Sequence, residues 1–176
     1  SGEMSARNLG VDIALADRVL QAGIRSVEIN GAPGSGNVVI DARTAEPTVS
    51  GAAKMNGVDL PAVLALAGQS APVTGTAGFD VKFATKGATS NALASNLQAS
   101  GAVTLTDARV TGLDLADMVG GDKSANTLED IDITTSFQSL TSPMTAEGSV
   151  TWRGTRFAVA ATVDGRPLLL GRDGAE

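Results

Sequence analysis

The residues with the clearest potential for chemistry are four carboxylates that lie close together in the sequence, Asp122, Glu129, Asp130 and Asp132. Clustered carboxylates bind calcium or act as the acid-base pair of a glycoside hydrolase. The spacing does not fit the calcium-loop motif, however, and Asp130 and Asp132 alternate with isoleucines. Such alternation is typical of the solvent-facing side of a β-strand. We therefore predict neither a metal ion nor a catalytic pair at this cluster.

Composition excludes most other catalytic templates. The 176 residues include no histidine and no cysteine, which rules out Ser-His pairs, Cys-His pairs and zinc sites built on those ligands. The Ser-x-x-Lys motif of serine-lysine acylation is absent. Glycine-rich residues 31–36 lack the Lys-Ser or Lys-Thr of a phosphate-binding loop, so we interpret them as a flexible turn. We expect no catalytic residues, no cofactor and no enzymatic activity.

The charge of the chain argues against nucleic acid as a partner. The formal net charge is −6, and the chain has one Trp, four Phe and no Tyr. Phosphate backbones attract basic surfaces, and single-strand binding uses stacked aromatic rings. The longest strongly apolar run, residues 62–67, is far shorter than the ~20 residues of a membrane-spanning helix.

The elements that must position any site are mostly β-strands. Apolar residues alternate with polar ones along many short segments, which is the period of a half-buried strand. Gaps such as residues 30–36 and 164–167 are rich in Gly, Pro, Asn and Asp, and we predict turns or longer loops there. The alternating segments lie near residues 11–15, 79–83, 103–105, 131–137, 150–152 and 157–163.

Three segments have the helical period instead, at residues 59–68, 90–97 and 114–119. In the first of them Asp59 is placed to cap the N-terminus and Gly68 to end the helix. All three are too short to be stable alone, so we expect them to pack on the sheet.

An internal repeat is the most specific feature of the sequence. Residues 53–68 match residues 108–121, with Gly57 and Gly112 at equivalent positions. Each copy predicts a strand, a turn that a glycine permits, and a short helix that begins at an aspartate. We predict a single domain over residues 1–176. Its fold class is α+β, mostly β: a twisted antiparallel sheet of eight to ten strands, with two or three short helices packed on one face.

Residues 75–121 resemble the C-terminal domain of the AsmA family, which includes AsmA-like and TamB-like proteins. The resemblance rests on a Gly-Thr turn at residues 75–76, a Gly-Ala-Thr-Ser turn at 87–90 before a leucine-containing helix, and a strand at 101–108. A Gly-Leu-Asp-Leu segment follows at 112–115. These motifs are turns and caps, and residues 138–176 follow the family pattern only loosely.

The resemblance implies a bacterial relative of the bridge-like lipid-transfer proteins. It implies a non-enzymatic segment of an envelope protein, lying in the periplasm and tethered to the inner membrane in the full-length protein. Its role would be outer-membrane assembly or phospholipid transport, and its partners would be phospholipid or another acyl lipid and the flanking repeats of the parent protein.

The candidate site is an apolar sheet face that acyl chains would cover. Alternation cannot say whether this face is an open trough or a closed core under the helices, and for the chain alone we favour the closed core. The alternative function is a secreted or surface β-module that binds protein or glycan through glycine-rich loops. The lipid-facing candidates are Phe79, Val81, Phe83, Val103, Leu105, Ile131, Ile133 and Phe137.

Overall fold

The structure is a computed structural model that describes residues 6–66, 71–112 and 127–163. It contains one nine-stranded antiparallel sheet in which every strand pairs with its neighbours in the sequence. Two short helices are described, α1 (Leu60–Leu66) between the fourth and fifth strands and α2 (Ser90–Ser95) between the fifth and sixth. The strands are β1 (Ala6–Ala16), β2 (Val19–Ile29), β3 (Ala32–Asp41), β4 (Thr48–Asp59), β5 (Val73–Lys86), β6 (Gln98–Val110), β7 (Leu128–Phe137), β8 (Met144–Trp152) and β9 (Thr155–Val163).

The prediction of a mostly β, antiparallel fold is confirmed. Each alternating segment of the sequence lies within one of the nine strands. The prediction that helices pack on one face is not confirmed. The helices α1 and α2 stand in successive connections, at opposite ends of β5, and the predicted helix at residues 114–119 lies outside the described residues.

The two described helices begin as their sequences predict. The side chain of Thr89 accepts a hydrogen bond from the backbone N–H of Ala92 at 3.2 Å, which caps α2. Asp59 Oδ2 likewise accepts from the N–H of Ala62 at 3.2 Å at the start of α1. Both caps satisfy N–H groups that a helix leaves without an internal partner.

Three of the described hairpins turn within two residues, and both turn residues of each have positive φ. Asp17 and Arg18 have φ of 48° and 64°, Asn30 and Gly31 have 50° and 85°, and Arg153 and Gly154 have 50° and 73°. The prediction of a flexible turn over residues 31–36 is therefore wrong. The turn ends at Gly31, and the rest of that segment is the start of β3.

The glycines of the internal repeat have the same backbone conformation. Gly57 has φ of 70° and Gly112 has φ of 75°. This left-handed conformation favours glycine because it has no Cβ atom to clash. In the first copy the backbone then leads into α1 within three residues.

The sheet has very little closed interior. In the described part of the chain the only buried hydrophobic residues are Ala32, Ala108 and Ile131, at 3%, 1% and 7% exposure. Of the eight candidates only Ile131 is buried, so the closed core that we favoured from the sequence is wrong for the other seven. Neither of the described helices is long and apolar enough to cross a membrane.

Candidate functional site: the apolar face of the sheet

The strand registers place the apolar side chains of all nine strands on one face. Directly opposed residues of an antiparallel pair project from the same side, and residues alternate sides along each strand. We call this side the apolar face. It carries the row of residues that the next sentence gives, and every second residue from that row along each regularly paired strand. One row crosses seven strands through Val11, Ile24, Gly36, Ala53, Val81, Gly101 and Phe137.

All eight candidates from the sequence lie on this face. Phe79 is opposite Val103, and Leu105 is opposite Ile133. Val81 and Phe137 both pair with Gly101, from its two sides. The remaining two, Phe83 and Ile131, lie further along the same strands, Phe83 opposite Ala99 and Ile131 opposite Ala108. The topology thus brings together residues that are up to 58 positions apart in the sequence.

Charged residues are segregated on the other side of the sheet, the polar face. Among the described residues that a strand register places, every charged side chain is on that side. Lys54 and Asp80, for example, are opposed in β4 and β5 and form an ion pair at 3.4 Å. Such exposed pairs contribute at most about 1 kcal/mol. Charged pairs of this kind keep the polar face, rather than the apolar face, in contact with water.

The apolar face is hollowed into a groove over β1 to β5. The groove has a volume of ≈ 330 Å³, near the lower end of the ~300–1,000 Å³ of small-molecule sites. Its floor is made of small residues, including Ala22, Gly36 and Ala53. Larger side chains border it, with Ile24 towards β1 and Phe79 on β5. We call this hollow the groove.

Glycines of the sheet allow close packing next to the floor. A Cβ atom at Gly51 would collide with the carbonyl oxygen of Asn37 and lie 2.7 Å from Cζ of Phe83. The Phe83 ring therefore occupies the space above Gly51. In the same way the methyl group of Met55 lies over Gly34. The glycines at these two positions therefore let Phe83 and Met55, which both line the groove, pack directly against the backbone of the sheet.

Side chains at the margins of the apolar face remain in contact with solvent. On β1, Ile13 and Leu15 are 71% and 73% exposed, and Phe157 on β9 is 44% exposed. Even the central candidate Val103 is 40% exposed. Exposed apolar side chains that are grouped on one face are typical of sites of contact with lipid, ligand or protein.

Trp152 lies on the apolar face near the β8–β9 turn. It is opposite both Leu128 and Thr155, and its side chain is half-buried. Its ring centroid is 6.4 Å from that of Phe157, and the Arg153 guanidinium lies 5.0 Å from the ring centroid. This tryptophan therefore packs within the sheet face, in phase with Val150 as its spacing predicted.

Two of the described members of the carboxylate cluster have basic partners. Glu129 forms an ion pair with Arg109 at 2.9 Å, and Asp132 with Arg156 at 3.7 Å. Asp132 Oδ1 also accepts the backbone N–H of Asp107 at 3.1 Å. These contacts tie β6, β7 and β9 together on the polar face. In the described part of the chain no group of acidic residues is arranged to hold a metal ion, and Asp122 lies outside that part.

One carboxylate has a clearly perturbed acidity. Hydrogen bonds from the side chain of Arg43, and then from its backbone N–H, lower the pKa of Asp41 to about 2. The same side-chain contact raises the pKa of Arg43. Both residues lie at the β3–β4 connection, away from the groove, so this pair serves the turn.

The sequence did not indicate which part of the apolar face is most concave. The candidates centred on β5 to β7, whereas the groove lies over β1 to β5 and shares only Phe79 and Phe83 with them. The alternation of Val11 and Ile13 was visible in the sequence. The small residues of the floor, such as Gly36, gave no signal until the pairing register placed them together.

Comparison with known proteins does not extend these findings. No protein-family model, curated protein or solved structure matches the chain.

Proposed function

We propose that this chain is a non-enzymatic scaffold or conduit segment that presents the apolar face of its sheet to acyl lipid. The observation that carries the proposal is the segregation of charge. In the described part of the chain, every charged side chain that a strand register places is on one face of the nine-stranded sheet, and solvent-accessible apolar side chains are on the other. Each methylene of an acyl chain that is buried against such a face contributes ~0.8 kcal/mol.

The groove is the part of the face that would hold an acyl chain best. Its walls contact a linear apolar ligand from two sides, whereas the flat part of the sheet contacts it from one. A floor of small residues such as Ala53 and Gly36 admits the chain close to the backbone. The phospholipid headgroup would remain in water, since the described positions of this face provide no charged partner for it.

The proposal includes a role for the two described helices, which would cover the two ends of the apolar face. The backbone carbonyl of Leu93 in α2 accepts a hydrogen bond from Thr85 Oγ1 at 2.5 Å. Thr85 follows Phe83 by two residues and shares its face, opposite Val49. We propose that α2, and α1 at the opposite end of β5, lie over the margins of the apolar face and limit where lipid can leave it.

The cellular setting that we propose rests on the resemblance of residues 75–121 to the AsmA family. We propose a periplasmic location, a tether to the inner membrane in the full-length protein, and a role in outer-membrane assembly or phospholipid transport. The flanking repeats of the parent protein would be partners at the edge of β9, because a sheet edge accepts an added strand. The alternative, a module that binds protein or glycan through glycine-rich loops, is weakened because most of residues 31–36 form a strand.

Native mass spectrometry of the chain, purified from bacterial cells without detergent, tests the proposal. We expect adducts with the masses of phospholipids. We expect Ala53→Asp, in the floor of the groove, to lose them, and Ser50→Asp, on the polar face of the same strand, to keep them. Free protein alone in all three samples, with no adduct after incubation with phospholipid vesicles, would refute lipid binding.

A further inference from the structure

The outer edge of β1 is a strand edge that no described strand covers. β1 lies at one end of the sheet, and among the described strands it pairs with β2 alone. Half of the backbone N–H and C=O groups of an edge strand point away from its only neighbour. Natural proteins protect such edges with Lys, Pro or bulges, because an unguarded edge is a template for another strand.

Protection is confined to the first half of β1. The pairing with β2 shifts on both sides of Gly10, Asn8 has φ of 54°, and Ser26 Oγ donates to the carbonyl of Asn8 at 3.1 Å. This bulge distorts the beginning of the edge. From Val11 to Ala16 the register is regular, with neither Lys nor Pro.

The regular half also carries the most exposed large hydrophobic side chains in the described part of the chain. Ile13 is 71% exposed and Leu15 is 73% exposed, both on the apolar face. The single charge of this half, Asp12, is on the polar face and is paired with Arg25 at 2.6 Å. An added strand would therefore contact apolar side chains, and the one charge beside it, on Asp12, is already paired with Arg25.

We propose that this edge binds a second copy of the chain, β1 against β1, in an antiparallel pair. A half-turn about an axis perpendicular to the sheet reverses the strand direction and leaves the apolar face on the same side. The symmetric pair therefore satisfies both backbone edges with each other and continues the apolar face without a break. This inference goes beyond the proposed function, since it concerns self-association and does not require lipid.

The side chains select one register for the pair. Apolar residues face apolar residues only when residues of the same parity are opposed. Placing Asp12 opposite its own copy would set like charges against each other, which is destabilising. Placing Ile13 opposite its own copy pairs Val11 with Leu15 on both sides of the axis and Asp12 with Ala14. We assign this register to the dimer because it opposes the most apolar side chains.

Single-cysteine variants test the register, because the chain has no cysteine of its own. In Ile13→Cys the two Cα atoms would be about 4.5–5.5 Å apart, within the range of a disulfide. In Leu15→Cys they would be separated by four residues along the strand, about 14 Å, which is too far. The two positions are equally exposed on the same face, so random collision would cross-link both alike.

The experiment measures disulfide dimers under mild oxidation, by non-reducing electrophoresis, with the sedimentation of the unmodified chain alongside. We expect Ile13→Cys to cross-link at least about 10-fold faster than Leu15→Cys, and an equal mixture of Val11→Cys and Leu15→Cys to cross-link as a heterodimer. Val159→Cys, on the opposite edge strand β9, should form no disulfide dimer. Circular dichroism confirms that each variant is folded.

Equal rates for Ile13→Cys and Leu15→Cys, faster dimerisation of Val159→Cys, or a concentration-independent monomer in sedimentation would each overturn the proposal. Lipid adducts in native mass spectra are scored separately. A monomer that carries phospholipid would refute the dimer alone, and a dimer without phospholipid would refute lipid binding alone.

Discussion

Placing one negative charge in the groove is the sharpest perturbation of the proposed function. Ala53 is half-buried in the floor, opposite Gly36 on one side and Val81 on the other. An aspartate there projects a carboxylate into a space that is otherwise apolar. A charge that keeps its water shell excludes hydrocarbon from its surroundings, because removing that shell costs several kcal/mol.

The expected magnitude follows from the contacts that the hydrated carboxylate displaces. One carboxylate and its first water shell occupy the length of about two or three methylene groups of an acyl chain. At ~0.8 kcal/mol per methylene, the loss is about 2 kcal/mol, or roughly a 30-fold rise in the Kd for a fatty acid. The effect of Ser50→Asp should be less than about 2-fold, because that side chain is in water on the polar face.

The assay is displacement of a fluorescent fatty acid from the delipidated protein. Thermal unfolding followed by circular dichroism establishes that both variants are folded at the temperature of the assay. If Ala53→Asp binds the probe as tightly as the unmodified chain, the acyl chain does not occupy the groove. If both variants weaken binding equally, net charge rather than position controls it, and the reasoning from the apolar face fails.

Three further predictions concern the sheet and its connections. Gly148→Ala should lower the free energy of unfolding by about 1–3 kcal/mol in urea, because its Cβ would collide with the backbone of β7, whereas Gly23→Ala, with open space above it, should be close to neutral. Carboxyl NMR should show Asp41 titrating with a pKa of about 2, and Arg43→Gln should return it towards 3.8. Because the pKa is lowered in the folded chain, this pair stabilises the protein above pH 4 or so and loses its effect as the pH falls towards 2. Thr89→Ala should cost about 1 kcal/mol by removing the cap of α2, measured by urea unfolding, and no change would refute the cap.

Much of the fold was predictable because its determinants are local. Alternation at residues such as Phe79 and Val81 depends only on the two-residue period of a strand, and the structure places them as expected. The caps at Asp59 and Thr89 depend on neighbours within three residues. Such signals are complete within a short window of sequence, so they need no knowledge of tertiary structure.

The glycine-rich segment shows where local reasoning failed. Residues 31–36 have the composition of a loop, yet Gly34 and Gly36 belong to β3. Their lack of side chains is explained by the neighbours that the register brings close, Met55 over Gly34 and the backbone of β4 beside Gly36. A glycine in a strand can thus record a close contact across the sheet, which the sequence of that strand does not contain.

The sequence also could not show that the apolar face is open to solvent. Alternation establishes that a strand has an apolar side, and the register places Val103 and Leu105 on the same face as Phe79 and Val81. Whether another layer covers that side depends on elements distant in the sequence. In the described part of the chain the helices are two short segments at the ends of β5, too small to cover nine strands.

Photo-cross-linking tests the central claim most directly, because it reports where lipid lies on the sheet. A phospholipid with a diazirine in its acyl chain is incubated with the chain, illuminated, and the labelled peptides are sequenced by mass spectrometry. Labels on the apolar-face residues Phe79, Val81 and Phe83 are the predicted result. Labels concentrated on the alternate residues Asp80 and Lys82, or in the turns, would contradict the account.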